Sequence, residues 1–374
     1  MIQGNATREG TARFRARHEG RDTAIGHFKQ FGEYTLTSVG MGTYLGRADD
    51  ATDALIVDAV KRSIASGAMN VVDTAINYRF QKSERAVGRA MKELVEEGKC
   101  RRDEVFISTK NGYLTHDADM SMDFWEYIHA QLIKPGIITA QDISSGYNCI
   151  KVSYLEDQLR RSLRNMQLEC IDLIYLHNAA EEQLHDVGME VFMRMLRDAF
   201  EFYEEKRREG IIRYYGMATW DCFRVEQGSS VHISMKDVVD TARRVAGEEH
   251  GFRFIQMPFN IAMSEAATLK NQIIDGRAYT PMEAAGLLGI SIFTSVPLLQ
   301  GRLLNSNSIM SLIKAVKAET PALACLQFTR SSRAIPLVGQ KRREHVEENL
   351  RIARIPPLSS DEFSSILATL ARAA

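Results

Sequence analysis

The sequence predicts an α/β fold, a closed (β/α)8 TIM barrel with an N-terminal β-hairpin and long loops at its C-terminal face. Three observations carry this. Eight short apolar runs of β type recur along the 374 residues, each followed by a helical stretch. The runs are apolar throughout, as in Asp172-Leu173-Ile174-Tyr175-Leu176, which suits parallel strands covered on both faces. No Gly-x-Gly-x-x-Gly opens a first strand-to-helix turn: Gly40-Met41-Gly42 lacks the third glycine and the following helix, which disfavours a doubly wound sheet.

Residues 1–25 contain several arginines and no apolar segment of secretory type, and read as a loose N-terminal arm. A single barrel then spans 26–374, since no Pro- or Ser-rich linker divides it. His27 to Phe31 and Glu33 to Leu36 flank Gly32 as a hairpin suited to plug the barrel bottom. The barrel strands are expected at Ser38 to Tyr44, Met69 to Ala75, Val105 to Lys110, Ile171 to His177, Ile211 to Thr219, Phe252 to Pro258, Ile290 to Val296 and Ala334 to Val338. Between them, Asp53 to Ala65, Ser83 to Glu97, Tyr154 to Met166 and Val191 to Arg208 show three- and four-residue apolar spacing. Thr280-Pro281-Met282-Glu283, Ser153 to Glu156 and Ser359 to Glu362 have the capping-box pattern that starts a helix. Residues 111–152 and 220–236 exceed ordinary connection lengths and leave the C-terminal face, so the first, with Trp125, Tyr127, His129 and Tyr147, reads as a packed lid insertion.

Composition narrows the function. Lys+Arg 47 against Asp+Glu 48 creates no overall field toward nucleic acid or anionic lipid. No apolar run approaches the roughly 20 residues of a membrane helix. Cys100, Cys149, Cys170, Cys222 and Cys325 are odd in number and form no CxxC pair, the pattern of reduced thiols in a cytoplasmic protein. The histidines form neither HxH nor HExxH, so no metal site is expected. Oligomeric state is not legible.

Polar residues close three neighbouring strands: Asp73, Lys110 and His177. Just past the first lies Tyr78, in Asp73-Thr74-Ala75-Ile76-Asn77-Tyr78. An acid, an amine, an imidazole and a phenol at one barrel mouth make a proton-transfer site. A free phenol titrates near ~10, so an adjacent ammonium, itself held by a carboxylate, helps it give up a proton.

These residues resemble the aldo-keto reductase family, whose pattern of an aspartate, a tyrosine five residues on and a Glu-x-x-x-Gly helix is matched by Asp73, Tyr78 and Glu84-Arg85-Ala86-Val87-Gly88. The likeness extends through Gly40 to Tyr44, Lys110, Asp172 to His177, Gly210 to Gly216, Gly339 and Glu344 to Leu350. It implies reduction of a small-molecule aldehyde or ketone by NADP, with NAD as the other possibility. Tyr78 would be the general acid, Lys110 and Asp73 its tuning pair, and His177 would orient the carbonyl. It further implies that Gly42, Thr43, Thr219, Gln256, Ser295, Leu298, Gly339, Gln340, Lys341, Arg342, Glu348 and Asn349 bind the cofactor, with Lys341-Arg342-Arg343 suited to a 2′-phosphate. The chain departs from the family at Ala218-Thr219, where a Ser-Asn pair usually grips the nicotinamide amide, and at His345, where many members carry arginine. Tyr215 and Trp220 are candidates to compensate for the first departure. That departure also keeps open a cofactor-binding regulatory or scaffold barrel with little turnover. A metal-dependent hydrolase using Asp73 and His177 lacks the further ligands it needs.

Overall fold

A computed structural model describes residues 1–306 and 309–373. The strands, in chain order, are β1 (Phe28–Phe31), β2 (Tyr34–Thr37), β3 (Gly40–Gly42), β4 (Val71–Asp73), β5 (Phe106–Asn111), β6 (Ile171–His177), β7 (Ile212–Ala218), β8 (Phe252–Pro258), β9 (Gln272–Ile274), β10 (Arg277–Tyr279), β11 (Ser291–Ser295) and β12 (Ile335–Gly339). Eight of them close a parallel barrel in the order β3-β4-β5-β6-β7-β8-β11-β12, each at an expected run. The helices are α1 (Arg8–His18), α2 (Asp50–Ala65), α3 (Lys82–Glu96), α4 (Phe124–Ile128), α5 (Val152–Met166), α6 (Ala179–Arg208), α7 (Met235–Ala246), α8 (Glu265–Thr268), α9 (Pro281–Leu287), α10 (Ile309–Val316), α11 (Pro321–Arg330), α12 (Arg343–Leu350) and α13 (Ser360–Ala373). α6 breaks at Gly188, whose φ of 75° is left-handed.

The barrel interior is filled by Val71, Phe106, Leu173, Tyr175, Phe254, Phe293, Ile335 and Leu337. The β1–β2 hairpin plugs its bottom: Phe31 meets Phe293 at 5.0 Å and Tyr34 meets Phe106 at 5.1 Å between ring centroids. The second, larger core lies between the strands and the helices outside them. Pro281 and the reciprocal Thr280–Glu283 bonds start α9 as the sequence suggests, and the Ser359–Glu362 box precedes α13. Ser153 makes no such box. α5 begins at Val152, and the Ser153 hydroxyl donates instead to the Ile137 carbonyl at 2.6 Å.

Residues 1–25 are not a loose arm. The Ala6 N–H donates to Asp172 Oδ1 at 2.6 Å, Phe14 is fully buried, and Arg13 and Arg17 pair with the buried Glu104. The 111–152 segment packs as expected, on a small core of Leu114, Tyr127, Ile128, Leu132, Ile138, Cys149 and Tyr154. A third long connection, between β8 and β11, carries the β9–β10 hairpin and was not marked by sequence.

Candidate active site

Strand register sets the site. Gly42 stands beside Asp73, His177 beside Ala218, Ala218 beside Gln256, and Gly339 beside Gly42, so residues distant in sequence end at one level of the barrel mouth. A cavity of about 640 Å³ opens there. It is lined by Asp73, Tyr78, His177, Gly42, Thr43, Thr219, Gln256, Ser295, Leu298, Gly339, Gln340, Lys341, Arg342, Glu348 and Asn349. Lys110 does not line it, being wholly buried behind Tyr78.

The Lys110 ammonium bonds to Asp73 Oδ2, donates to the Thr74 carbonyl at 2.8 Å, and lies 4.7 Å from the Tyr78 ring centroid. The other Asp73 oxygen accepts from Ser108 Oγ at 2.7 Å and Gln256 Nε2 at 3.1 Å. Burial opposes the Lys110 charge, but Asp73 and then Tyr78 outweigh it and hold its pKa above the ordinary lysine value. Burial raises the Tyr78 pKa, and the Lys110 charge offsets only part of that rise, so the phenol remains protonated at neutral pH. Burial and then Lys110 push His177 well below the usual imidazole range, leaving it neutral with one ring N–H to donate. The Tyr78 and His177 rings are 5.8 Å apart at 74°, and Asn148 Nδ2 fixes the His177 carbonyl at 3.0 Å.

Two features of the cavity await a polar ligand. Among the described residues His177 Nδ1, Asn77 Oδ1 and Thr219 Oγ1 are buried without partners, which is costly unless a ligand satisfies them. At the other end no carboxylate among the described residues pairs with Lys341 or Arg342, and burial, then Arg342 and Arg79, lower the Lys341 pKa. Unpaired cations beside the start of α12 fit a phosphate-bearing dinucleotide. Arg343 does not join them, because its guanidinium pairs with Glu347 at 2.8 Å. Gln340 and Asn349 are bonded to each other at 3.0 Å. Tyr215 cannot replace the missing Ser-Asn pair: it points into the helix layer, where its hydroxyl donates to Glu204.

Sequence reasoning did not find Tyr44, Asn77, Tyr113 or Asn178 as wall residues. Tyr44 packs edge-on against Tyr78 at 5.0 Å, and Tyr113 against His177 at 5.0 Å. Of the 111–152 segment only Tyr113 lines the cavity.

Residues 38–371 match the sequence model of the Aldo/keto reductase family. The uncharacterized oxidoreductase YqkF of Bacillus subtilis strain 168 is 24% identical over 185 residues, 49% of this chain and 45% of YqkF, so the match spans less than half of that relative. An aldo/keto reductase from Klebsiella pneumoniae, solved with NADP and acetate, has a TM-score of 0.60 at 20% identity, covering 93% of this chain and 95% of that one. The aldo-keto reductase AKR11C1 from Bacillus halodurans, in its holo form, gives 0.61 at 20% identity over 93% and 97%. These structural likenesses show the shared fold.

Proposed function

The chain belongs to the aldo/keto reductase family, and from that premise we propose that it reduces a small-molecule aldehyde or ketone to an alcohol using NADPH. The observation that carries the reading is the buried Asp73–Lys110 pair under Tyr78, with a neutral His177 on the other side of the same mouth. Tyr78 gives its proton to the carbonyl oxygen as negative charge develops there. Lys110 lowers the cost of the phenolate left behind, and Asp73 keeps Lys110 charged and in place. His177 donates its one N–H toward the same oxygen, and preorganised donors of this kind favour the transition state over the ground state. NADPH, when bound, supplies the hydride. Thr219 and Gln256 would hold its nicotinamide amide, Ser295 and Leu298 its pyrophosphate, and Lys341 with Arg342 its 2′-phosphate, with Gly42, Thr43, Gly339, Gln340, Glu348 and Asn349 completing the walls. The solved Klebsiella relative with NADP bound supports that choice of cofactor.

A second reading, a cofactor-binding regulatory barrel with little turnover, draws on Ala218-Thr219 in place of the gripping pair. One experiment separates the two: NADPH fluorescence titration alongside NADPH oxidation with a panel of aldehydes and ketones, on the wild type and on Tyr78→Phe. The reductase reading expects Tyr78→Phe to bind NADPH nearly as the wild type does and to lose roughly 100- to 10,000-fold in kcat. Wild-type turnover in the variant removes Tyr78 from the acid role. Tight NADPH binding with no turnover on any carbonyl favours the regulatory barrel.

A further inference from the structure

The first turn of α6 carries two adjacent carboxylates, Glu181 and Glu182, that the proposed chemistry does not use. Glu181 Oε1 accepts three successive backbone N–H groups, from Trp220 at 2.9 Å, Asp221 at 2.7 Å and Cys222 at 2.9 Å. Convergent N–H groups of this kind form an anion-binding nest, and here the anion belongs to the protein. It pins the loop that leaves β7. Arg224 closes the same loop from the other side, its Nε donating to the Trp220 carbonyl at 2.7 Å and its other nitrogens to Asp221 and Glu265.

Glu182 serves the opposite wall. It accepts the Tyr113 hydroxyl at 2.5 Å, and Asn178 Nδ2 donates to the same phenol oxygen at 3.0 Å. A Cβ on Gly146 would collide with the Glu182 carboxylate, so a larger residue there would have to push that carboxylate aside. Tyr113 and Trp220 both line the cavity. Both anchors stand on the turn that directly follows His177, so the two walls are referenced to the imidazole.

We infer that Glu181 and Glu182 are positioning residues that fix the aromatic walls Trp220 and Tyr113 relative to His177, and thereby set the preference for ring-bearing over small aliphatic carbonyls. Trp220 is 39% exposed, and its backbone is held through its N–H by Glu181 and through its carbonyl by Arg224. A wall that is already ordered costs less to bind against. A small aliphatic carbonyl that does not reach the walls is insensitive to that order. The kinetic consequence rests on the carbonyl-reductase reading; the structural one does not.

The chain has two tryptophans, so Trp125→Phe leaves Trp220 as the sole indole reporter. In that background Glu181→Ala and Glu181→Gln are compared by tryptophan anisotropy and by kcat and KM for benzaldehyde and propanal. Gln keeps an acceptor oxygen at the nest and is expected to match the parent. Ala is expected to lower the anisotropy and to raise the benzaldehyde KM about tenfold with kcat and the propanal KM little changed, the signature of lost ground-state binding. Unchanged anisotropy in Glu181→Ala, or benzaldehyde and propanal KM rising together, overturns the inference. Should Glu181→Ala fail to fold, Glu181→Asp, which withdraws the carboxylate by one methylene, is read the same way. A parent that reduces neither these aldehydes nor any other carbonyl of the panel defeats the reductase reading, while the anisotropy comparison still decides whether Glu181 holds Trp220.

Discussion

Asp73 satisfies three donors at once: Lys110 on one oxygen, Ser108 and Gln256 on the other. Lys110 is fully buried and its only carboxylate contact among the described residues is Asp73. A buried pair of this kind adds little over an apolar packing, but removing one partner strands the other charge. Asp73→Asn preserves shape and most hydrogen bonding, yet is expected to cost about 3–5 kcal/mol in urea unfolding and to lower kcat, since Lys110 then loses either its proton or its position under Tyr78. A variant as stable and as active as the parent would show that the pair matters to neither. These residues were legible in the sequence because a charged or polar group closing an apolar strand stands out, and Tyr78 lies at a fixed distance from one of them. Tyr113 and Asn178 were not. Both come from loop backbone, Asn178 in a left-handed conformation just before α6, and which way such a side chain faces depends on contacts that spacing does not encode.

At the scale of the element, the barrel strands could be read because burial on both faces demands unbroken apolar runs, and eight of these recur. The N-terminal helix could not. Arg-Glu-Gly-Thr-Ala-Arg-Phe-Arg-Ala-Arg-His has no apolar stripe, and α1 docks largely through polar groups: Thr7 N–H to the Asp103 carbonyl at 3.0 Å, Arg13 to Asp103 and Glu104, and Arg17 to Glu104. Gly10 lies so close to the Asp103 backbone that a Cβ there would overlap it. Within this polar contact Phe14 is the single large apolar anchor, packed edge-on to Phe28 at 6.2 Å. Phe14→Ala is therefore expected to destabilise the barrel by about 3–5 kcal/mol, measured by denaturant unfolding. A loss within error of zero would mean that α1 is held by its ion pairs alone, or that the helix does not dock in solution.

Across the whole molecule, two histidines besides His177 are buried in uncharged form where layers meet. His27 sits at the barrel bottom between the hairpin, the turn before β4 and α11. Its Nε2 donates to the Ala68 carbonyl at 2.9 Å and its Nδ1 faces Ser38 Oγ and Arg330. Burial, followed by the Arg330 charge, brings its pKa down to about 3. His250 has neither ring nitrogen bonded among the described residues, and burial, then Arg253, lower it to about 4. Both values lie below that of an unfolded histidine, near ~6.5. As pH falls through that value the unfolded chain takes up protons that the folded chain refuses, so this stability is present above about 6.5 and is lost on the way down. Each histidine contributes a slope of up to about 1.4 kcal/mol per pH unit. Carboxylates held low by cations, such as Glu104 with its two arginines, begin to add only at lower pH. Unfolding free energy measured in urea between pH 7.5 and 5 is thus expected to fall with decreasing pH, and His27→Gln to flatten that slope by the share of one proton whatever its effect at pH 7.5. Stability independent of pH over this range, or an unaltered slope in His27→Gln, would show that His27 takes up its proton in the folded chain as readily as in the unfolded one, against its burial at the junction of hairpin and α11.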